Sequence, residues 1–304
     1  MPSLSGPLDD PAADAGWRDE QPRKGFFTDT SVCIGCKACE VACKEWNAIP
    51  ADGTGELLGS SYDNTGALGA STWRHVAFIE QPKKPAANTV SLGMPSTGRP
   101  GAALDPDSAI EFRWLMSSDV CKHCTHAACL DVCPTGALFR TEFGTVVVQD
   151  DVCNGCGYCV PACPFGVIDR RIGEQGERNV GIAQKCTLCY DRLGAGMTPA
   201  CAQACPTESI QFGDLDELRT RAAARLESLQ QQGVTEARLY GESPDDGVGG
   251  SGAMFLLLDE PEVYGLPPDP VVATRDLPAA WKQAGIAALG LLAGAIAVFA
   301  GRQP

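Results

Sequence analysis

The chain has 304 residues, 44% of them hydrophobic, which is enough for one large or two modest domains with a buried core. Its 38 acidic and 24 basic residues give a net charge of −14, which argues against binding to nucleic acid or to an anionic membrane surface. Its 16 cysteines are the most informative part of the composition.

Residues 1–25 are the first predicted segment, a flexible N-terminal arm. They are rich in Pro, Ala, Asp and Gly and contain no apolar run, so they do not resemble a signal peptide. Arg23 and Lys24 are not followed by a hydrophobic stretch and therefore do not form a twin-arginine signal. Work outside the cytoplasm would require another protein to carry this chain there.

The cysteines form four groups of four with none left over, spaced x2-x2-x3, x2-x4-x3, x2-x2-x3 and x2-x11-x3. Such runs are typical of cubane iron–sulfur ligands, and in two-cluster runs the fourth cysteine binds the other cluster. Disulfides explain the pattern poorly, because a disulfide pairs two cysteines and does not require a third one after two further residues. Structural zinc also explains it poorly, because zinc is bound by separated pairs of cysteines. The groups are Cys33, Cys36, Cys39 and Cys43; Cys121, Cys124, Cys129 and Cys133; Cys153, Cys156, Cys159 and Cys163; and Cys186, Cys189, Cys201 and Cys205.

An insertion with two predicted strands separates the first two groups. A Gly-rich polar loop over 50–69 precedes β-branched and aromatic residues that predict a strand over 72–80. Residues 82–109 are rich in Pro, Gly and Ser, and 110–115 predict the second strand. We expect the insertion to cover one face of the cluster-binding domain.

The second, third and fourth groups belong to an internal repeat of a small α+β unit. Each is predicted to run as a loop, a short helix, a Cys-Pro pair and a short strand. Pro134, Pro164 and Pro206 fix φ and end these helices. In the first group Lys44 follows Cys43, so we expect that helix to run on.

Spacing alone leaves two ways of pairing the groups. The 19 residues between Cys133 and Cys153 make a compact hairpin-like link, which favours pairing the second group with the third and, by elimination, the first with the fourth. The alternative is sequential pairing, first with second and third with fourth. The nested arrangement predicts cluster 1 at Cys33, Cys36, Cys39 and Cys205; cluster 2 at Cys43, Cys186, Cys189 and Cys201; cluster 3 at Cys121, Cys124, Cys129 and Cys163; and cluster 4 at Cys133, Cys153, Cys156 and Cys159.

A helix and a strand are predicted after the fourth group, and we expect them to form a cap beside the cluster-binding core. Apolar residues recur at helical intervals over 214–232, and 253–258 predict a buried strand after a Gly-rich link at 247–252. The apolar positions of the helix are Leu215, Leu218, Ala222, Leu226 and Leu229.

Residues 284–300 are uncharged and predict a transmembrane anchor. As a helix these 17 residues are about 25 Å long, which with their flanks is enough to cross a bilayer core. Trp281 and Arg302 flank the stretch and favour an anchor over a buried helix of a soluble protein. Gly290 and Gly294 form a G-x-x-x-G face suited to a second transmembrane helix. Basic residues lie on both sides, so the orientation stays open.

The stretch CIGCKACEVACKEWN, the four ferredoxin-type motifs and the segment from Leu218 through GVTEARLYG to PEVYGLPPDP resemble the iron–sulfur β subunit of membrane-bound formate dehydrogenases. These subunits belong to the electron-transfer subunits of the molybdopterin oxidoreductases. The resemblance extends from about Phe26 to the C-terminus. The cysteine pattern is shared across that wider family. The C-terminal portion, which has no cysteines, narrows the resemblance to the formate dehydrogenase subunits.

This resemblance implies an α+β fold with two pseudo-symmetric ferredoxin-like domains, the nested pairing, four [4Fe–4S] clusters and a C-terminal transmembrane helix. The chain would carry electrons from a molybdenum or tungsten catalytic subunit, where formate is oxidised, to a membrane cytochrome b and quinone. It would therefore not be catalytic itself. The expected boundaries are 26–112 and 181–213 for the two parts of domain 1, 113–180 for domain 2, 214–280 for the cap and 281–304 for the anchor and tail.

The resemblance also implies where the chain works. It would be a single-pass protein of the cell membrane, with the cluster-binding domain on the extracytoplasmic side after export with its catalytic partner. Cluster 1 would lie towards the catalytic subunit and cluster 4 towards the membrane.

The residues outside the cysteines show no catalytic motif. There is no Gly-rich phosphate loop or nucleophile–base pair, and the three histidines are His75, His123 and His126. We expect a surface or hydrogen-bonding role for His123 and His126, because the nearby cysteines already supply a full ligand set. The lysines next to cluster cysteines either are solvated, or raise a cluster potential or bind a carboxylate of a partner protein; they are Lys37, Lys44, Lys122 and Lys185.

Two other classes of protein fit the same motifs. One is the equivalent subunit of a polysulfide, thiosulfate or dimethyl sulfoxide reductase. The other is a membrane-tethered polyferredoxin that works without an enzyme partner.

Overall fold

The structure is a computed structural model that describes residues 15–19, 21–51, 63, 65–83, 111–174, 179–275 and 277–300. The strands are β1 (Lys24–Asp29), β2 (Arg74–Lys83), β3 (Glu111–Val120), β4 (Leu138–Arg140), β5 (Val146–Val148), β6 (Asp169–Arg170), β7 (Ala183–Gln184), β8 (Ile210–Asp214), β9 (Arg238–Tyr240) and β10 (Ala253–Leu257). The helices are α1 (Ala38–Trp46), α2 (Ala128–Asp131), α3 (Cys159–Ala162), α4 (Tyr190–Gly194), α5 (Ala200–Gln203), α6 (Leu215–Gln231) and α7 (Leu277–Ala300).

Parts of several predicted segments lie outside the described residues. These parts are 1–14 and 20 of the predicted N-terminal arm, 52–62 and 64 of the Gly-rich loop, 84–109 of the Pro-, Gly- and Ser-rich stretch, and the tail at 301–304.

A four-stranded sheet in the order β8-β1-β10-β9 joins the two ends of the cluster-binding region. Strand β1 runs antiparallel to β8 and parallel to β10, so that Phe26 lies opposite Phe212 on one side and Ala253 on the other. Strand β10, which we expected in a cap, is therefore an inner strand of the same sheet as β1. The segment after the cysteine groups is part of the core that supports them.

Helix α6 packs on one face of this sheet, as its apolar spacing predicted. Leu215, Leu218, Ala222 and Leu229 are buried against three residues of the sheet, and Leu226 is partly buried in the same cluster. Because successive side chains of a strand point to opposite faces, residues of one face alternate with those of the other. The sheet residues that contact the helix are Phe27, Met254 and Leu256.

The opposite face of the sheet supports the cysteine groups. Phe26, Phe255 and Leu257 are fully buried there and belong to the largest apolar cluster. The same cluster contains cysteines from three of the four groups, namely Cys39, Cys121, Cys186 and Cys201. One sheet thus separates helix α6 from the cysteine-rich half of the molecule.

The insertion forms a long antiparallel hairpin of β2 and β3, with Arg74 opposite Val120. Both predicted strands are confirmed and are longer than expected. Gly35, in the first cysteine loop, has φ +65°, and an added Cβ would lie 2.6 Å from both Phe78 and Met116 of the hairpin. The hairpin therefore covers the first cysteine loop so closely that only glycine fits there.

The predicted repeat is confirmed in its local structure. The short helices α2, α3 and α5 each end just before a Cys-Pro pair, and each pair leads to a strand, β4, β6 or β8. The link between Cys133 and Cys153 is an antiparallel hairpin of β4 and β5, as expected. Helix α1 continues past Cys43 to Trp46, because no proline ends it.

Helix α7 contains the predicted anchor. Among the described residues, one helix is long and apolar enough to cross a membrane, over Ala280–Ala300, and none of this span is buried in the protein.

Candidate iron–sulfur centres

All sixteen cysteines lie among the described residues, and all are free thiols. No three His, Cys, Asp or Glu side chains of the described residues converge on a single metal position. The thiols instead come together in four sets drawn from two cysteine groups each, and three of these sets line cavities. We number the four sets below as sites 1 to 4, in the order of the predicted clusters.

Site 1 is a cavity between the first cysteine loop and the segment that follows helix α5. The first group supplies three thiols from the loop and the start of α1, and the fourth group supplies one. Hairpin β2–β3 contributes Val76 and Ser118 to the wall. The four cysteines that line the cavity are Cys33, Cys36, Cys39 and Cys205.

Sites 3 and 4 are cavities beside helices α2 and α3. The second and third groups exchange one cysteine between them, because each short helix carries its last cysteine away from its own loop. Site 3 is lined by Cys121, Cys124, Cys129 and Cys163. Site 4 is lined by Cys133, Cys153, Cys156 and Cys159.

Site 2 is formed around Cys43, one helical turn beyond Cys39. The Asn47 amide lies 3.8 Å from Cys43 Sγ and 4.0 Å from Cys189 Sγ, which brings helix α1 next to the fourth group. Burial raises the pKa of Cys43 well above its usual value, and neighbouring thiols raise it further. Those neighbours are Cys186, Cys201 and Cys189.

The sites are neighbours in the order 1, 2, 3, 4, and we refer to this order as the line of sites. Cys201 of site 2 is close enough to site 1 to raise the pKa of Cys39, after the larger effect of burial. Cys121 of site 3 acts in the same way on Cys186 of site 2. In the same way, Cys159 of site 4 raises the pKa of Cys129 of site 3.

The most exposed cysteines lie at the two ends of this line. Cys36 of site 1 and Cys156 of site 4 are the exposed cysteines, whereas the other fourteen are buried or half-buried. In the interior, burial raises the pKa of Cys39 to about 11 and that of Cys129 to about 12.

Buried cations lie beside the inner thiols. Lys122 and Lys185 are 1% and 2% exposed, so the solvated alternative does not apply to them. Lys122 pairs with Asp119, and the Lys185 ammonium donates to the carbonyls of Val146 and Cys186. By contrast, Lys37 and Lys44 of the first group are half-buried.

The three histidines are all buried, so a surface role is wrong for His123 and His126. His123 has the expected hydrogen-bonding role, because its Nδ1 accepts a bond from the Val146 N–H at 3.1 Å. His75 lies on hairpin β2–β3, where its Nδ1 is 2.9 Å from the Thr65 hydroxyl.

Sequence reasoning missed Arg74, the largest fully buried side chain among the residues that the structure describes. It is 1% exposed, lies on β2 and packs over Phe26, with 4.8 Å between the guanidinium carbon and the ring centre. Nothing in the sequence indicated its position, because β2 is remote from every cysteine group along the chain.

These sites fit [4Fe–4S] clusters. Each offers four free thiols from two cysteine groups, and sites 1, 3 and 4 are cavities. Apolar side chains predominate in the walls of sites 3 and 4, and buried positive charges lie near the inner thiols. Cubane clusters are held by four cysteine thiolates, and such anionic groups require compensation when they are buried.

Comparison with protein families gives the class. Residues 32–137 match one 4Fe-4S dicluster domain family, and residues 112–215 match another. The chain is therefore an iron–sulfur electron-transfer protein with two ferredoxin-type dicluster domains.

Similar proteins give the particular family. The chain is 38% identical over 290 residues to the iron–sulfur subunit of the nitrate-inducible formate dehydrogenase of Escherichia coli, covering 93% of this chain and 84% of the relative. It is 38% identical over 259 residues to the formate dehydrogenase iron–sulfur subunit of Haemophilus influenzae, covering 84% and 72%. A subunit of the anaerobic dimethyl sulfoxide reductase of Escherichia coli is 34% identical over 197 residues, covering 65% and 76%. This protein belongs to the family of formate dehydrogenase iron–sulfur subunits and is a non-catalytic, electron-transferring member.

Proposed function

We propose that this chain carries electrons, through four [4Fe–4S] clusters, from a formate-oxidising molybdenum or tungsten subunit to a membrane cytochrome b and quinone. When bound, each cluster supplies reversible one-electron transfer, so that a two-electron oxidation is passed on in single steps. The observation that carries the proposal is the line of four cysteine sets with an exposed cysteine at each end only.

The ligands in this proposal are the sixteen cysteines in the nested arrangement. Cys33, Cys36, Cys39 and Cys205 would hold cluster 1, and Cys43, Cys186, Cys189 and Cys201 would hold cluster 2. Cys121, Cys124, Cys129 and Cys163 would hold cluster 3, and Cys133, Cys153, Cys156 and Cys159 would hold cluster 4. The grouping of thiols around the cavities supports these sets and offers no support for sequential pairing.

Residues that surround the cysteines exclude water from the four sites and supply positive charge to them. The sheet covers one side of the line with Phe26 and Phe255, and hairpin β2–β3 covers site 1 with Val76. Lys185 supplies positive charge near site 3, where it opposes the effect of burial on the pKa of Cys129. Positive charge favours the more reduced state of an iron–sulfur site, whereas exclusion of water opposes the added negative charge, so the two effects together set the potential.

The ends of the line suggest the two partners. Cys36 and the exposed Ile34 at site 1 would face the catalytic subunit, and Cys156 and the exposed Tyr158 at site 4 would face the membrane subunit. Helix α7 would anchor the protein next to the cytochrome, with the cluster-binding domains on the extracytoplasmic side. In this arrangement the two ferredoxin-like domains are the pseudo-symmetric units 26–112 with 181–213, and 113–180.

The proposal is tested on the complex purified from membranes under anaerobic conditions. We expect iron and sulfide for four clusters per copy of this chain, reduction of all four by formate, and reoxidation by a quinone analogue. Less iron than this would overturn the four-cluster assignment. Clusters that dithionite reduces but formate does not would overturn the role in formate oxidation.

The equivalent subunit of a dimethyl sulfoxide reductase is the second candidate, since such a subunit is 34% identical to this chain. That match covers 65% of this chain, whereas the match to the nitrate-inducible formate dehydrogenase subunit covers 93%. Reoxidation of the reduced clusters by dimethyl sulfoxide, without reduction by formate, would favour this second candidate.

A further inference from the structure

Arg74 lies where sites 1 and 2 meet. It projects from β2 and is fully buried against the sheet residue Phe26. Its Nη1 donates to the Ser118 hydroxyl at 3.0 Å, and that hydroxyl lies 3.2 Å from the sulfur of Cys39 in site 1. The side chain is therefore connected to a predicted cluster ligand through one intervening group.

Thiols of both sites are close enough to this guanidinium to affect its pKa. Burial alone lowers the pKa of Arg74, but the neighbouring thiols outweigh burial, and the net pKa is raised. Cys39 belongs to site 1, and the other three neighbours belong to site 2. Those three are Cys201, Cys186 and Cys43.

The guanidinium is incompletely satisfied by the rest of the protein. Its Nε and Nη2 are buried and have no hydrogen-bond partner among the described residues. Arginine keeps its charge in proteins, and a buried charge without compensation is strongly destabilising. A guanidinium in this state requires anionic groups nearby, and the thiols of sites 1 and 2 are the groups that act on it.

We propose that Arg74 is a positioning residue whose fixed charge, placed between sites 1 and 2, raises the midpoint potentials of both clusters. This inference rests on the proposed function, since it assumes clusters at both sites. Reduction adds one electron, and hence one negative charge, to a cluster without breaking a bond. A nearby fixed positive charge favours the reduced cluster. Each electron that comes from formate is therefore bound more strongly at sites 1 and 2.

The test uses the intact complex carrying Arg74→Gln or Arg74→Lys, with iron and sulfide measured first. Redox titrations followed by electron paramagnetic resonance then report each cluster separately. For Arg74→Gln we expect the ratio of reduced to oxidised cluster at a fixed potential to fall at least tenfold at two clusters, which is 59 mV for a one-electron couple. The other two clusters are the internal control and stay unchanged. Arg74→Lys keeps the charge, so we expect both clusters of this variant to keep potentials close to those of the wild type.

Full iron content with unchanged potentials in Arg74→Gln would overturn the inference and leave the proposed function intact. An equal shift in Arg74→Lys would show that shape and not charge is responsible, which also overturns it. A wild-type complex without four clusters would instead overturn the proposed function.

A second measurement covers the case in which Arg74→Gln does not assemble. The wild-type complex is labelled with ¹⁵N-arginine, and hyperfine coupling to guanidinium nitrogen is measured on the reduced clusters. We expect such coupling at the clusters of sites 1 and 2. Its absence from both would overturn the inference.

Discussion

Cys39 and Cys43 lie one turn apart on helix α1 but belong to different sites. Cys39 lines the site 1 cavity, which Cys205 completes. Cys43 lies among the thiols of the fourth group in site 2. One short helix thus contributes to two centres.

Replacing either cysteine by serine should therefore affect different clusters. We expect Cys39→Ser and Cys43→Ser each to alter or remove one cluster, because each removes one thiolate ligand. Iron analysis and electron paramagnetic resonance of the reduced complex would show which signal changes. Loss of the same signal in both variants would contradict the nested ligand sets.

Gly155, in the third cysteine loop, should not tolerate a side chain. It has φ +72°, and an added Cβ would lie 2.5 Å from the Gly181 carbonyl oxygen. The left-handed conformation alone costs a non-glycine residue about 1–2 kcal/mol, and the clash with backbone adds to this. We expect Gly155→Ala to lose cluster 4, seen as lower iron content and a missing resonance signal.

Gly136 provides the matched control for this substitution. Its φ is +68°, but no atom lies within 4 Å of an added Cβ. We expect Gly136→Ala to keep all its iron at a modest cost in stability. Equal iron loss in both variants would attribute the effect to backbone conformation and not to the contact with Gly181.

Glu40 should stabilise the attachment of helix α1 to the hairpin. It is 4% exposed, its Oε1 accepts a bond from the Val76 N–H, and its Oε2 lies 3.3 Å from the Lys37 ammonium. Glu40→Ala leaves a buried donor unsatisfied, which costs about 1–3 kcal/mol. Anaerobic denaturation, followed by cluster absorbance, should show unfolding at lower denaturant concentration.

Glu45 lies on the same helix and is exposed, so Glu45→Ala is the control for the effect of alanine on the helix itself. We expect its unfolding midpoint to remain near that of the wild type. A similar loss of stability in both variants would argue against a specific role for Glu40.

Helix α7 should hold the chain at the membrane and against a second helix. We expect Gly294→Leu to reduce co-purification with the cytochrome while the chain stays in the membrane fraction, because a large side chain prevents close helix packing. Gly285→Leu is the control, since Gly285 lies outside the G-x-x-x-G face. Equal losses in the two variants would contradict packing through Gly290 and Gly294.

Local features of the sequence predicted much of the fold. The Cys-Pro pairs predicted the ends of the short helices, and the spacing of Leu215, Leu218 and Leu229 predicted helix α6 and its buried face. These features depend on residues near one another in the chain. Their physical causes, proline geometry and helical periodicity, are readable without knowing the rest of the molecule.

Long-range relationships were harder to predict. The parallel pairing of β1 with β10 brings Phe26 opposite Ala253, and no local pattern indicates a partner so distant. The same limitation applies to Arg74, which reaches the cysteines only because hairpin β2–β3 folds over site 1. The ligand sets stay a prediction until iron is assigned to each site, although the structure brings the thiols together in that grouping.

The position of Cys205 has a consequence for biosynthesis. A growing polypeptide emerges N-terminus first, so Cys33, Cys36 and Cys39 leave the ribosome long before the residue that completes their site. Sites 3 and 4 need nothing beyond Cys163 and can be completed earlier. The supporting strand β10 follows later still. Under the proposed ligand sets, iron delivery to site 1 therefore waits until about two thirds of the chain has been made, and translation products that end before Cys186 would carry, at most, the two clusters of sites 3 and 4.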